Sequence, residues 1–113
     1  MVKKYVPQRG DLVWLEFNPQ LGHEQSGRRP ALIISPKSYN EKTNLCLLYP
    51  VTSKTKGYPF EVEISGKNAS GFVLTDQIKS FDWKKRNPIF IEKITENKLQ
   101  KCLENSNLLL NIV

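Results

Sequence analysis

The residues with the clearest chemical potential lie between Asn18 and Arg29, where an imidazole, a carboxylate and an amide (His23, Glu24, Gln25) sit between Gly22 and Gly27 and are followed by the guanidinium groups of Arg28 and Arg29. A connection this long between two strands is usually functional or disordered. Arg29 precedes Pro30, whose ring pushes the backbone before it toward the extended region. Its side chain therefore leaves from a stiff point, which suits a group that must meet a phosphate repeatedly in one geometry. Arg28 lies on the flexible side of that point and reads more readily as a solvated charge. A hairpin connection with incidental charges would have the same composition, and a lone histidine such as His23 is more often a surface residue than a catalyst.

A second polar stretch, from Val51 to Pro59, carries the hydroxyls of Thr52 and Ser53, the ammonium groups of Lys54 and Lys56, and Gly57. Hydroxyl donors beside lysine suit phosphate oxygens, and Tyr58 or Phe60 offers a ring on which a base can stack. An ordinary polar loop is the alternative. Lys84-Lys85-Arg86 forms a third basic cluster, expected as an exposed turn that adds only general attraction.

Composition narrows the chemistry. Lys and Arg outnumber Asp and Glu by 17 to 11, a formal charge of +6. An anionic partner is plausible on that balance, either nucleic acid or an acidic peptide, without a choice between them. A two-metal nuclease needs clustered carboxylates, whereas Glu61, Glu63, Asp76 and Asp82 are scattered. With His23 as the one histidine a two-histidine ribonuclease is excluded, and with no Cys-x-x-Cys pair neither a zinc site nor another cofactor is expected. What remains for RNA cleavage is attack by the ribose 2′-hydroxyl on the neighbouring phosphate, with a carboxylate as base and a guanidinium stabilising the phosphorane. The products would be a 2′,3′-cyclic phosphate and a 5′-hydroxyl.

These residues need a scaffold, and the hydrophobic pattern supplies one. Residues 11–17 alternate, with Val13, Leu15 and Phe17 on one face; 31–35 and 45–49 are continuous apolar runs, as in strands buried on both faces. Pro36 to Thr43 predicts a short helix or turn. Phe60 to Ile64 alternates apolar and acidic residues, and Gly66 and Gly71 bracket a turn into a strand over 72–75. Further strands are expected over 77–81 and 89–94. From Thr95 the period becomes helical, with Leu99, Cys102, Leu103, Ser106 and Leu110 on one side, Thr95 as cap and Glu96 in the first turn. Short strands plus a terminal helix predict one α+β domain over residues 1–113: a small, strongly bent antiparallel sheet or barrel with the helix packed on it. The apolar end, 108–113, would close the core or form a dimer interface. Cys46 and Cys102, inside apolar segments, read as buried reduced thiols of a cytoplasmic protein. The N-terminal stretch lacks the apolar run of a signal peptide, and no segment approaches the roughly 18 apolar residues of a membrane span, so no membrane partner is expected.

The two polar connections together resemble the MazF/PemK family of toxin endoribonucleases. The resemblance runs through Arg9-Gly10-Asp11-Leu12-Val13-Trp14, Gly22-His23-Glu24-Gln25-Ser26-Gly27-Arg28-Arg29-Pro30-Ala31 and Pro50-Val51-Thr52-Ser53. It continues through Lys56-Gly57-Tyr58-Pro59-Phe60-Glu61-Val62, which points to the MazF branch, and Thr75-Asp76-Gln77-Ile78-Lys79-Ser80. The pattern Gly-x-Glu-Gln…Arg-Pro followed by a threonine after the third strand is specific.

The resemblance implies an SH3-like, strongly curved antiparallel sheet with a C-terminal helix, assembled as a two-fold homodimer. It implies a metal-independent endoribonuclease acting on single-stranded RNA, with Arg29 and Thr52 as the central catalytic pair and Glu24 as general base. Gln25, Arg28, Ser53, Lys54, Lys56, Phe60, Asp76 and Gln77 would line the RNA path, and His23 matches a histidine of other members. Some members carry an arginine two positions before the Asp-Gln pair; here that position is Leu74, which places more weight on Arg29. The implied protein partner is an antitoxin whose acidic, disordered tail competes with RNA for the basic groove. The same fold also serves a toxin that poisons DNA gyrase through a tryptophan near the chain end, but here the tryptophans are Trp14 and Trp83. An SH3-like module that binds RNA without cutting it would not need Arg29, Thr52 and Glu24 together.

Overall fold

A computed structural model of the chain describes residues 4–17 and 27–111. Seven strands and two α-helices follow in the order β1 (Asp11–Glu16), β2 (Arg28–Ile33), α1 (Lys37–Thr43), β3 (Leu45–Thr52), β4 (Glu61–Ser65), β5 (Ser70–Leu74), β6 (Lys79–Asp82), β7 (Ile89–Lys93) and α2 (Glu96–Leu110), with a short 3-10 helix, Trp83–Arg86, between β6 and β7. All pairings are antiparallel, in the order β4-β5-β3-β2-β1-β7, and β6 joins the first half of β3.

The central strands are buried on both faces, which is why their sequences are continuously apolar rather than alternating. Leu12, Leu32, Ile34, Tyr49 and Val51 point to one side, where Leu99 and Cys102 of α2 and Val62, Ile64 and Val73 of β4 and β5 cover them. Val13, Leu15, Ala31, Ile33, Cys46 and Leu48 point to the other, where Trp83, Tyr5, Val6, Phe17 and Phe81 close the layer. Burying a side chain such as Leu32 stabilises the fold by about 1.5–3 kcal/mol relative to exposure.

Polar groups inside this core are satisfied in a definite way. Asn40 of α1 is fully buried; its Nδ2 donates to the carbonyls of Pro7 (2.8 Å) and Ser35 (3.0 Å), and its Oδ1 accepts from Ser35 Oγ at 2.6 Å. Its own carbonyl accepts from Trp83 Nε1 at 3.0 Å. One side chain thus joins the N-terminal segment, α1 and the 3-10 helix. On the opposite face Ser106 of α2 donates to the Thr75 carbonyl at 2.8 Å and pairs with the Tyr49 hydroxyl. Cys46 and Cys102 are buried and unpaired, and burial pushes both thiols up to about 12.

Several expectations need correction. Arg28 and Arg29 belong to β2 and pair with Glu16 and Leu15, so the long connection ends before them. Gly71 lies within β5 opposite Ile64 rather than in a turn. Arg86 is not part of a merely exposed cluster: its Nη1 donates to the carbonyls of Glu16 (2.9 Å) and Phe17 (3.0 Å). In α2, Leu99, Cys102 and Ser106 are buried, but Leu108 and Leu110 are exposed, so this end of the helix does not close the core. Ile112 and Val113 lie outside the described residues. No helix of the described residues is long and apolar enough to cross a membrane.

Candidate functional site

The site arises where the β2–β3 ladder stops. The last cross-strand pair is Ala31 with Pro50, and Pro30 precedes Ala31. Pro30 has no N–H to donate across to β3, so the ladder lacks the bond that would carry it past this pair. Beyond this point Arg29 and Arg28 remain with β1, opposite Leu15 and Glu16, while Val51 and Thr52 pair with Val73 and Phe72 of β5. The strands part toward different partners, and a cavity of about 500 Å³ opens between them. Trp14, Arg29 and Pro30 line one side; Val51, Thr52, Ser53 and Lys54 line the other, with Ser70 nearby.

Strand parity sets which groups meet. Arg29 is two residues from Ala31, and Thr52 is two residues from Pro50, the partner of Ala31. Both side chains therefore fall on the same face. The Thr52 hydroxyl accepts the Lys54 backbone N–H at 3.2 Å, a local turn that leaves its own hydrogen free to donate. Gly71 is what lets β5 approach here: a Cβ on it would stand 2.6 Å from the Thr52 carbonyl oxygen. The Arg29 guanidinium lies 5.9 Å from the centroid of the Phe17 ring.

The loop after β3 is folded around a carboxylate. Glu61 accepts the Thr55 hydroxyl at 2.6 Å and the Lys56 backbone N–H at 2.5 Å. The Thr55 bond, followed by backbone N–H groups of Lys56 and Gly57, holds the Glu61 carboxyl below its ordinary value. The Lys56 backbone is thereby tied to Glu61, while its side chain is exposed. Phe60 is half-buried, its carbonyl accepting the Thr75 amide (3.1 Å) and hydroxyl (2.5 Å). Tyr58 donates to Asp76 Oδ1 at 3.1 Å, and burial together with this bond raises its phenol above the ordinary value.

Of the residues singled out in the sequence, Arg29, Thr52, Ser53 and Lys54 come together in one cavity. Arg28 is exposed on β2 outside its lining. Asp76 lines a different, smaller cavity of about 220 Å³ with Thr75, Ile78, Ser106, Leu109 and Leu110, and Gln77 follows it in the turn after β5. His23, Glu24 and Gln25 lie outside the described residues. Trp14, Ser70 and Phe17 were not anticipated at the site. Trp14 carried a signal, since it stands on the face of 11–17 opposite Val13 and Leu15, yet is a large aromatic and 38% exposed.

Residues 8–110 match the family described as PemK-like, MazF-like toxin of type II toxin-antitoxin system. The chain belongs to this toxin family. Among MazF-like relatives, it is 44% identical over 110 residues to the endoribonuclease toxin MazF of Escherichia coli (strain K12), covering 97% of this chain and 99% of that one. The endoribonuclease PemK of Escherichia coli is 33% identical over 85% of this chain and 76% of its own length. The MazF fold is equally plain: the chain superimposes on a Deinococcus radiodurans MazE-MazF crystal structure with a TM-score of 0.90 and 45% identity, covering 97% of this chain and 100% of that one.

Proposed function

We propose that this chain is the endoribonuclease toxin of a type II toxin–antitoxin pair and that it cuts single-stranded RNA, mRNA above all, in the cavity between β2 and β3. The observation that carries this reading is the convergence of Arg29 and Thr52 on that one cavity.

Chemically, RNA brings its own nucleophile. A phosphodiester held between the two strand ends presents its non-bridging oxygens to the Arg29 guanidinium and the Thr52 hydroxyl. Glu24 removes the proton from the ribose 2′-oxygen, which attacks phosphorus as the 5′-oxygen leaves and takes a proton from solvent water. The products are a 2′,3′-cyclic phosphate and a 5′-hydroxyl. A guanidinium is suited to the trigonal-bipyramidal intermediate because its charge is permanent and its donors are planar. Ser53, Lys54 and Lys56 hold neighbouring phosphates, and Phe60 and Gln25 contact bases. Asp76 and Gln77, with Arg28 and His23, extend the RNA path beyond the cavity. No metal or other cofactor takes part.

The whole chain, 1–113, acts as one domain in the cytoplasm and works as a homodimer that places the exposed Leu108, Leu109 and Leu110 against a second copy. Its partner is a MazE-like antitoxin with an acidic tail, attracted by the same lysines and arginines that attract phosphates; the net charge of +6 supports that pairing. Incubating purified protein with a long single-stranded RNA in excess EDTA tests the reading. Discrete fragments ending in a cyclic phosphate are expected. Intact RNA that remains bound would overturn the enzymatic reading.

A further inference from the structure

Arg29 does not reach its cavity unsupported. Its guanidinium carbon lies 5.9 Å from the centroid of the Phe17 ring. Phe17 meets Phe81 edge to face, with centroids 5.0 Å apart and planes at 76°. On Phe81 lies a second guanidinium, that of Arg86, at 3.8 Å from the ring centroid. The series is closed by hydrogen bonds, because Arg86 Nη1 also donates to the carbonyls of Glu16 and Phe17. The amide of Phe17 in turn donates to the Gly27 carbonyl at 3.3 Å. Arg86 therefore fixes both the ring of Phe17, through Phe81, and its backbone, at the neck from which the segment bearing His23, Glu24 and Gln25 leaves β1.

The geometry points to Phe17 as a positioning residue for Arg29, held in place by Phe81 and Arg86. The physical argument is one of restraint. Arg29 is on the exposed end of β2, no hydrogen bond of its guanidinium to protein is present among the described residues, and an arginine there is free to sample many rotamers. An aromatic face attracts a guanidinium and favours a parallel or tilted plane, narrowing that ensemble without consuming the N–H donors. The donors stay available for phosphate. Phe17 can serve only if it is itself rigid, and the edge-to-face contact with Phe81 and the two carbonyl bonds from Arg86 supply that rigidity. Arg86 thus acts on the reaction at a distance, through packing, and Phe17 touches Arg29 rather than RNA.

This inference rests on the proposed role of Arg29 in cleavage, and the test separates the two. The contact is read directly from the Arg29 Nε–H resonance in ¹⁵N spectra of the full chain, which a ring current displaces. Phe17→Leu keeps an apolar side chain but removes the π face. It is expected to move the Arg29 resonance toward an exposed-arginine position and to slow single-turnover cleavage about five- to tenfold, with RNA affinity held within about twofold. Phe17→Tyr restores both readouts, and Arg86→Lys, which keeps charge but loses the planar stack, moves both partway. In an Arg29→Ala background, Phe17→Leu should cost nothing more, because its effect passes through Arg29. An unmoved resonance in folded Phe17→Leu, or an equal loss of rate with and without Arg29, overturns the positioning role. Normal cleavage by Arg29→Ala alone overturns it through its premise, and the resonance then still reports whether the stack exists.

Discussion

Arg29 and Thr52 line one cavity because the ladder between their strands ends at Ala31 and Pro50, where Pro30 has no N–H to carry it further. Both strands run out of the core, where Ala31, Leu32 and Ile33 of β2 and Leu48 to Val51 of β3 are buried. The sheet therefore carries both groups to the edge of an opening of about 500 Å³.

Removing either group tests the division of labour between charge and hydroxyl. Arg29→Ala is expected to lower cleavage by ~10²–10³, the cost of losing one preorganised donor to a developing negative charge. Thr52→Ala should cost less, about tenfold, because a neutral hydroxyl contributes a weaker bond than a guanidinium. Single-turnover rates on a short RNA decide it, with circular dichroism showing that both variants fold. A Thr52→Ala loss larger than that of Arg29→Ala would reverse the assignment.

Gly71 offers a test of the scaffold rather than of the chemistry. Its missing Cβ admits the Thr52 carbonyl, and alanine would place an atom 2.6 Å from that oxygen, with Val51 Cγ1 at 3.2 Å. Strand β3 or β5 must shift to relieve this, at a cost of about 1–3 kcal/mol, the usual range for overpacking. Gly71→Ala is expected to lower the melting temperature and, by moving Thr52, to slow cleavage as well. A variant as stable and active as the parent would show that β5 is not held against Thr52 in solution.

Much of this architecture was legible in the sequence because each signal was local. The apolar runs of β2 and β3 announced two covered faces, the alternation of Glu61, Val62, Glu63 and Ile64 announced a half-exposed strand, and Thr95 announced the start of α2. The residues of the candidate site stood out for a different reason: Arg29-Pro30 and Thr52-Ser53-Lys54 stand at strand ends, where residue type is not dictated by packing. What escaped notice depends on contacts between distant segments. Nothing near Arg86 in the chain indicates that it will bind the carbonyls of Glu16 and Phe17, and Gly71 looks like a turn residue until Thr52 is placed beside it. The exposure of Leu108 and Leu110 likewise follows from where α2 runs off the sheet, which no periodicity records.

Asn40 tests how far the core relies on one polar side chain. It is fully buried with three side-chain hydrogen bonds, and its removal leaves Pro7 and Ser35 groups without partners. Asn40→Ala is expected to destabilise the fold by about 2–4 kcal/mol, combining unsatisfied polar atoms with a small cavity. Denaturant unfolding followed by Trp83 fluorescence would measure it, since Trp83 bonds to the Asn40 carbonyl. A loss below about 1 kcal/mol, the size of a surface effect, would mean that water replaces the amide without penalty.

The loop after β3 supplies a pH test whose sign can be worked out in advance. Glu61 is held below its ordinary 4.5 chiefly by the Thr55 hydroxyl and the backbone N–H groups of Lys56 and Gly57. A carboxyl whose folded value is depressed stabilises its surroundings above the ordinary value, and that contribution is lost as pH falls through the folded value. The loop bearing Lys54 and Lys56 is therefore ordered at neutral pH and loosens only in acid, below 4.5. The amide resonance of Lys56, which donates to Glu61 at 2.5 Å, should titrate with a midpoint under 4.5. Glu61→Gln should abolish that titration and speed amide exchange at Lys56, because a neutral amide accepts these donors less strongly. RNA affinity should fall only modestly in the variant, since the lysine charges remain while their placement loosens. A Lys56 midpoint at or above the ordinary carboxyl value would show that Glu61 does not organise this loop.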